Sequence, residues 1–167
     1  SLVAAIRTLA GSGPIRYVVN THAHPEFTGG NLKVAAAGSQ LVAGNFAGQV
    51  GQRAIEGVVP QAFVVAHENV LRAMSAPTGS EPPTPFGAWP TDTFFQSEKA
   101  MYFNGEGIEL THVKAASTDG DVLVFFRSSD VIAAGDVYST LAYPRIDVTR
   151  GGSVNGVIEG LNRLIDI

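Results

Sequence analysis

Apolar positions first recur at helical spacing: Leu2, Val3, Ile6 and Leu9 share a face, and Gly11 supplies a stop. This predicts an amphipathic helix feeding a short strand from Ile15 to Val19. A polar turn over Thr21 to Gly30 comes next, followed by an Ala-rich helix from Leu32 to Ala37 closed by Gly38. The stretch 40–61 is rich in Gly, Ala and Gln with weak periodicity, and reads as an irregular insertion ahead of a buried strand at Ala62 to Ala66. A short helix from Glu68 to Met74 leads into a loop near 75–92. There Pro77, Pro82, Pro83, Pro85 and Pro90 argue against regular structure, and such a loop can serve as a lid.

From Lys99 the pattern changes to β. Met101 to Phe103, a turn at Asn104-Gly105, Ile108 to His112, Val122 to Phe126 and Val131 to Ala134 predict an antiparallel meander. Ser153 is placed to cap a last helix whose Val154, Val157, Ile158, Leu161, Leu164 and Ile165 form one apolar stripe that would cover a sheet. No repeat or low-complexity tract interrupts the order, so residues 1–167 are expected to form a single mixed α/β domain.

Composition narrows the partners. At 167 residues with 45% apolar and 16% charged side chains, the chain has the makings of one folded core. A net charge of -4 disfavours nucleic acid, which calls for clustered Lys and Arg. With no Cys, thiolate nucleophiles, thiolate metal sites and disulfides are excluded, and a metal would have to rest on His and carboxylates. No apolar run approaches the roughly 20 residues needed to span a bilayer and no signal peptide opens the chain. The expectation is a soluble protein with no membrane partner, cytoplasmic by default.

The candidate chemistry lies in Asn20-Thr21-His22-Ala23-His24-Pro25-Glu26-Phe27-Thr28-Gly29-Gly30-Asn31. A two-residue step in extended chain points both imidazoles the same way, so His22 and His24 can reach one metal, and the glycine pair permits a sharp entry into the next helix. Spacing alone is equally compatible with a solvated turn that happens to hold two histidines.

The segment resembles the His-x-His-x-Asp-His-x-Gly-Gly signature of the metallo-β-lactamase superfamily. The turn Ala115-Ala116-Ser117-Thr118-Asp119-Gly120-Asp121 and the Gly135-Asp136-Val137-Tyr138 motif resemble later elements of the same superfamily. Ala66-His67-Glu68-Asn69-Val70, Tyr143-Pro144-Arg145-Ile146-Asp147 and Gly151-Gly152-Ser153 resemble one branch of its hydrolase-like members, so the likeness covers most of the chain. It implies a metallo-β-lactamase-like αβ/βα sandwich with a mixed β-sheet. It also implies zinc held by His22 and His24, with Asp136 and Glu26 as further ligands and weak catalytic candidates.

The departures matter as much as the matches. Glu26 stands where the family has Asp, Phe27 where it has a second-zinc His, and Ser117 where it has the third first-zinc His. A carboxylate one methylene longer still binds zinc if its loop adjusts, whereas a phenyl ring has no lone pair to donate. A full ligand set is worth roughly 10–16 kcal/mol in small peptides, on the order of 3 kcal/mol per ligand. Zinc is therefore expected to bind weakly or not at all. The resemblance also makes the fold incomplete at both ends, since the family's strands before the first helix and a last strand with another His have no counterpart here. Uncovered sheet edges would favour a homo-oligomer, domain swapping included.

The expected function is a hydrolase-like protein with a degraded zinc site and little or no hydrolytic activity. The alternatives are a weak mononuclear metal-dependent hydrolase of an ester, thioester or lactam, and a non-catalytic module that binds a small molecule or serves assembly. Elsewhere the ordinary reading leads: His112 as a packed or hydrogen-bonded residue rather than a substitute ligand, His67 as a helix cap, and Asp119 and Asp121 as turn residues. For Trp89, lining a substrate mouth and anchoring the Pro-rich loop are equally compatible with the sequence.

Overall fold

A computed structural model describes residues 1–40, 61–77 and 82–167. Helix α1 (Leu2–Ala10) is capped by the Ser1 hydroxyl and leads to strand β1 (Tyr17–Val19), then to α2 (Pro25–Thr28) and α3 (Asn31–Ala36). Strand β2 (Phe63–His67) runs directly into α4 (Glu68–Ser75), and β3 (Asp92–Phe94) completes a parallel sheet in the order β1-β2-β3. The register sets Val18 opposite Val64 and Ala66 opposite Thr93.

The meander follows as β4 (Glu98–Phe103), β5 (Glu106–Val113), β6 (Asp121–Phe126) and β7 (Val131–Ala133), antiparallel and paired in chain order. Asn104, at φ 60°, and Gly105, at φ 77°, provide the left-handed residues that a tight β4–β5 hairpin needs. Helix α5 (Val154–Asp166) closes the chain, its first turn capped by the Ser153 hydroxyl bonded to the Gly156 amide at 3.0 Å.

The layers follow from which faces are apolar. Val65 and Phe94 of the parallel sheet meet Ile108, Leu110, Val122 and Val124 of the meander in a shared core. The opposite face of the parallel sheet packs Ala62 and Val64 against Ala35 of α3, and Ala66 against Val70 and Met74 of α4. The outer face of the meander takes α5, through Val157, Leu161 and Leu164 on Val113 and Leu123. The result is the mixed αβ/βα arrangement expected from the sequence.

Several local expectations are corrected. The first strand begins at Tyr17 rather than Ile15: the Ile15 carbonyl accepts from the Ser39 amide at 2.9 Å, outside the ladder with β2. Pro25–Thr28, read as part of a polar turn, is a turn of helix, with Pro25 at a position where a missing N–H costs nothing. The Pro-rich loop holds a 3-10 turn at Phe86–Ala88 and ends in β3, whose three residues show no alternation to betray them. Trp89 anchors that loop: its Nε1 donates to the Thr84 carbonyl at 2.7 Å and its ring joins the Val70 and Met74 cluster. The insertion expected at 40–61 lies outside the described residues apart from its two ends.

Helix α5 seats backbone against backbone. A Cβ at Gly156 would come 1.9 Å from the Ala115 carbonyl oxygen and 2.8 Å from the Ala116 amide nitrogen. In a free helix, Gly→Ala gains about 1 kcal/mol. Gly156→Ala is predicted to reverse that sign and destabilise the fold by about 1–3 kcal/mol, because α5 must lift off the Ala115–Ser117 turn. Urea unfolding measures it, and a stabilised variant would refute the close approach.

Candidate metal centre

At the C-terminal end of β1 the chain leaves the sheet with its direction set by a reciprocal amide pair. Asn20 Nδ2 donates to Asn31 Oδ1 at 2.9 Å, Asn31 Nδ2 returns a bond to Asn20 Oδ1 at 2.7 Å, and Asn31 Nδ2 also reaches the Ala88 carbonyl at 2.9 Å. Both amides are buried, and the pairing satisfies groups that would otherwise be costly there. Between them the ligand loop is fixed again where the Thr28 hydroxyl donates to the His24 carbonyl at 3.2 Å.

This scaffold brings His22, His24 and Asp136 together with one ligand atom from each within 4.8 Å of the others, and both imidazoles are completely buried. Asp136 Oδ2 lies 3.2 Å from His22 Nε2 and 3.1 Å from His24 Nδ1. Bonds of 2.0–2.2 Å to a tetrahedral ion put ligand atoms about 3.3–3.6 Å apart, close to these separations. His22 Nε2 makes no aligned hydrogen bond, although it is buried, and its Nδ1 lies 3.0 Å from the Thr21 hydroxyl. With the ring proton on Nδ1, the Nε2 lone pair faces the same space as the carboxylate oxygen, an unfavourable meeting unless a cation lies between them. The residues therefore fit a metal ion.

Asp136 is carried on a 3-10 turn, Gly135–Val137, whose Val137 is buried under α5. Gly135 sits at φ 55°, and a Cβ there would fall 2.7 Å from the Thr21 hydroxyl oxygen and 3.2 Å from His22 Nδ1, so a side chain would displace the ligand loop.

The other expected ligands stand apart. Glu26 Oε1 accepts from Arg145 Nη1 at 2.9 Å, with both side chains more than half exposed, and does not join the three-residue group. The Phe27 ring lies 4.2 Å from the His22 ring, packed over the imidazole where the superfamily resemblance calls for a ligand. Ser117 is fully buried and its hydroxyl oxygen has no hydrogen-bond partner among the described residues. Asp121 behaves as the turn residue expected, accepting from the Thr118 amide and hydroxyl. His67 caps α4, its Nδ1 accepting from the Asn69 amide at 3.3 Å, and stacks on His112 with ring centroids 3.6 Å apart. His112 Nε2 donates to the Asp119 carbonyl at 2.8 Å. Both histidines are structural in this arrangement. Asp147 has a place that the sequence reading did not give it: its Oδ2 lies 3.0 Å from His24 Nε2. Only its occurrence in a matched segment hinted at it.

The chain has the metallo-β-lactamase fold. It aligns with the metallo-beta-lactamase from Pontibacter korlensis at TM-score 0.63 and 17% identity, covering 99% of this chain and 61% of that one. With the BLEG-1 B3 metallo-beta-lactamase the values are 0.64 and 19%, covering 98% and 70%. With TTHA1623, solved in a di-iron-bound form, they are 0.58 and 17%, covering 99% and 71%. The chain thus spans 61% of the first of these structures. No family model and no curated protein matches the sequence. Among the described residues no helix is long and apolar enough to cross a membrane.

Burial sets the titration of the region. Desolvation lowers His22 and His67 to about 4, the stacked His112 adding to the effect at His67, and raises Asp121 to about 6. Asp147 is also desolvated, but hydrogen bonds from Thr149, His24 and Arg150 prevail and hold it well below the usual carboxylate range. The two histidines, ordinarily at 6.5, bind protons in the unfolded chain before they do so in the folded one, so the stability they confer is lost as pH falls from about 6.5 toward 4. Asp121, raised to about 6, and Asp119, also raised by desolvation, act in the opposite sense at lower pH. The midpoint of thermal unfolding, measured without metal, is predicted to fall between about pH 7 and pH 5. A flat or rising midpoint would count against buried neutral histidines.

Proposed function

We propose that this chain is a hydrolase-like protein of the metallo-β-lactamase fold that keeps one weakened metal site and turns over substrate little or not at all. The observation that carries the reading is the convergence of His22 Nε2, His24 Nδ1 and Asp136 Oδ2 on one buried space, beside two positions with no metal-binding nitrogen. Three protein ligands suffice for a mononuclear site with an open position. A divalent ion held there would supply a Lewis acid and lower the pKa of a bound water. The chain's own contribution is to keep His22 neutral by burial and to present Asp136 as the anionic ligand. Phe27 closes the second-metal side, and Glu26 is already engaged by Arg145.

The alternative, a working mononuclear hydrolase of an ester, thioester or lactam, is favoured by one feature: the Asp136 side chain is 22% exposed, so the site opens to solvent. Zinc and iron are both suitable probes, since a di-iron form is known for one structural neighbour.

The test is metal content of the purified, unchelated protein by elemental analysis, followed by zinc and iron titration of the parent, a Phe27→His/Ser117→His double variant and His22→Ala. The parent is expected to hold well under one equivalent after dialysis, the double variant to bind at least tenfold more tightly, and His22→Ala to lose binding. Near-stoichiometric, tightly held metal in the parent would overturn the weakened-site reading. Hydrolysis that disappears with chelator and in His22→Ala would establish the active alternative. A double variant no better than the parent would mean that the two substitutions are not what limits the site.

A further inference from the structure

Within the cluster, His24 is engaged at both ring nitrogens. Nδ1 faces Asp136 Oδ2 at 3.1 Å, on the side where His22 Nε2 also converges, and Nε2 lies 3.0 Å from Asp147 Oδ2. Asp147 is itself held from several directions. Its Oδ1 accepts from the Thr149 hydroxyl at 2.5 Å and the Arg150 amide at 3.2 Å, and its Oδ2 accepts from Arg150 Nη1 at 3.0 Å. Its backbone amide donates to the Ser117 carbonyl at 2.8 Å, and its carbonyl accepts from the Gly152 amide at 2.8 Å. The carboxylate is therefore placed by its neighbours, with or without His24.

A neutral imidazole has one N–H and one lone pair, and a carboxylate can only accept. The contacts allow a ring proton on Nδ1, toward Asp136, or on Nε2, toward the firmly held Asp147; the second placement leaves the Nδ1 lone pair on the side where His22 Nε2 and Asp136 Oδ2 already meet. We infer that Asp147 is a positioning residue for the metal centre: through its hydrogen bond from Nε2–H it holds His24 in the orientation and tautomer that make Nδ1 the ligand atom. The inference rests on the metal reading above and adds a carboxylate–histidine–metal relay to it. Partners of this kind fix ring orientation and raise the basicity of the ligand. Thr149 and Arg150, by holding Asp147, extend the relay to the turn that precedes α5.

The experiment has one arm without metal and one with it. Long-range 1H–15N NMR of 15N-histidine-labelled, metal-free protein at about pH 8, where histidine is ordinarily neutral, reads the tautomer directly. His24 is expected to carry its proton on Nε2, protected from exchange. Protection should be lost in Asp147→Ala and kept in Asp147→Asn, whose side-chain carbonyl still accepts. In competition with a chromophoric chelator, Asp147→Ala is expected to bind zinc about 10–100-fold more weakly than the parent, and Asp147→Asn within about tenfold of it. A merely structural role would lower thermal stability while leaving the tautomer and the zinc affinity of the folded fraction unchanged. A proton on Nδ1 in the parent, or zinc bound by Asp147→Ala as tightly as by the parent, would overturn the inference. If the parent takes up no zinc, the metal reading falls, and the NMR arm still decides whether Asp147 sets the tautomer. The tautomer in that arm is read from the parent alone, so this readout stands even if Asp147→Ala fails to fold.

Discussion

Two fully buried imidazoles and one carboxylate oxygen share a space about the width of a single ion, and much of the described fold exists to make that tolerable. Bringing acceptor atoms together away from water is unfavourable unless something positive compensates them. The surroundings accordingly fix each participant from outside: Thr21 and Gly135 at His22, Asp147 at His24, and the Gly135–Val137 turn pinned under α5 at Asp136. The parallel sheet provides the strand end from which the two histidines leave. The meander and α5 bring the carboxylates from the opposite half of the chain, and the Val65–Leu110 core keeps the halves in register.

Much of this was legible in the sequence because it is written in local signals. Ser153 as a cap, the stripe from Val157 to Leu164, the Asn104-Gly105 turn and the alternation through Ile108 and Leu110 each predict their elements from adjacent residues, and the elements form. The His-x-His step and the Gly-Asp motif named three residues that the fold brings together. What was not legible depends on partners distant in the chain. Strand β3 has three residues and is a strand only because β2 offers it an edge. Glu26 reads as a ligand until Arg145, 119 positions away, is found beside it. Asp147 lies 123 positions from His24, and no spacing rule connects them.

Phe27 and Ser117, which stand where the superfamily resemblance calls for ligands, have other roles in this fold. Phe27 packs its ring on His22 while part of the side chain stays exposed. Ser117 is small enough to remain buried, at the cost of a hydroxyl without a partner among the described residues. Neither residue belongs to the core clusters under the two sheets. Ligand positions and folding positions are nearly separate sets in this chain.

The reciprocal pair of Asn20 and Asn31 links the two sets, since it shapes the loop that carries His22 and His24, and that makes the pair hard to change. Each amide is donor and acceptor to the other, so no single replacement is neutral: Asp at either position sets a carboxylate against a carbonyl, and an apolar residue removes both bonds across the buried pair. Only a simultaneous exchange of both residues could preserve the geometry. The two asparagines are therefore expected to be kept or lost together wherever this loop keeps its shape, whatever stands at the positions between them.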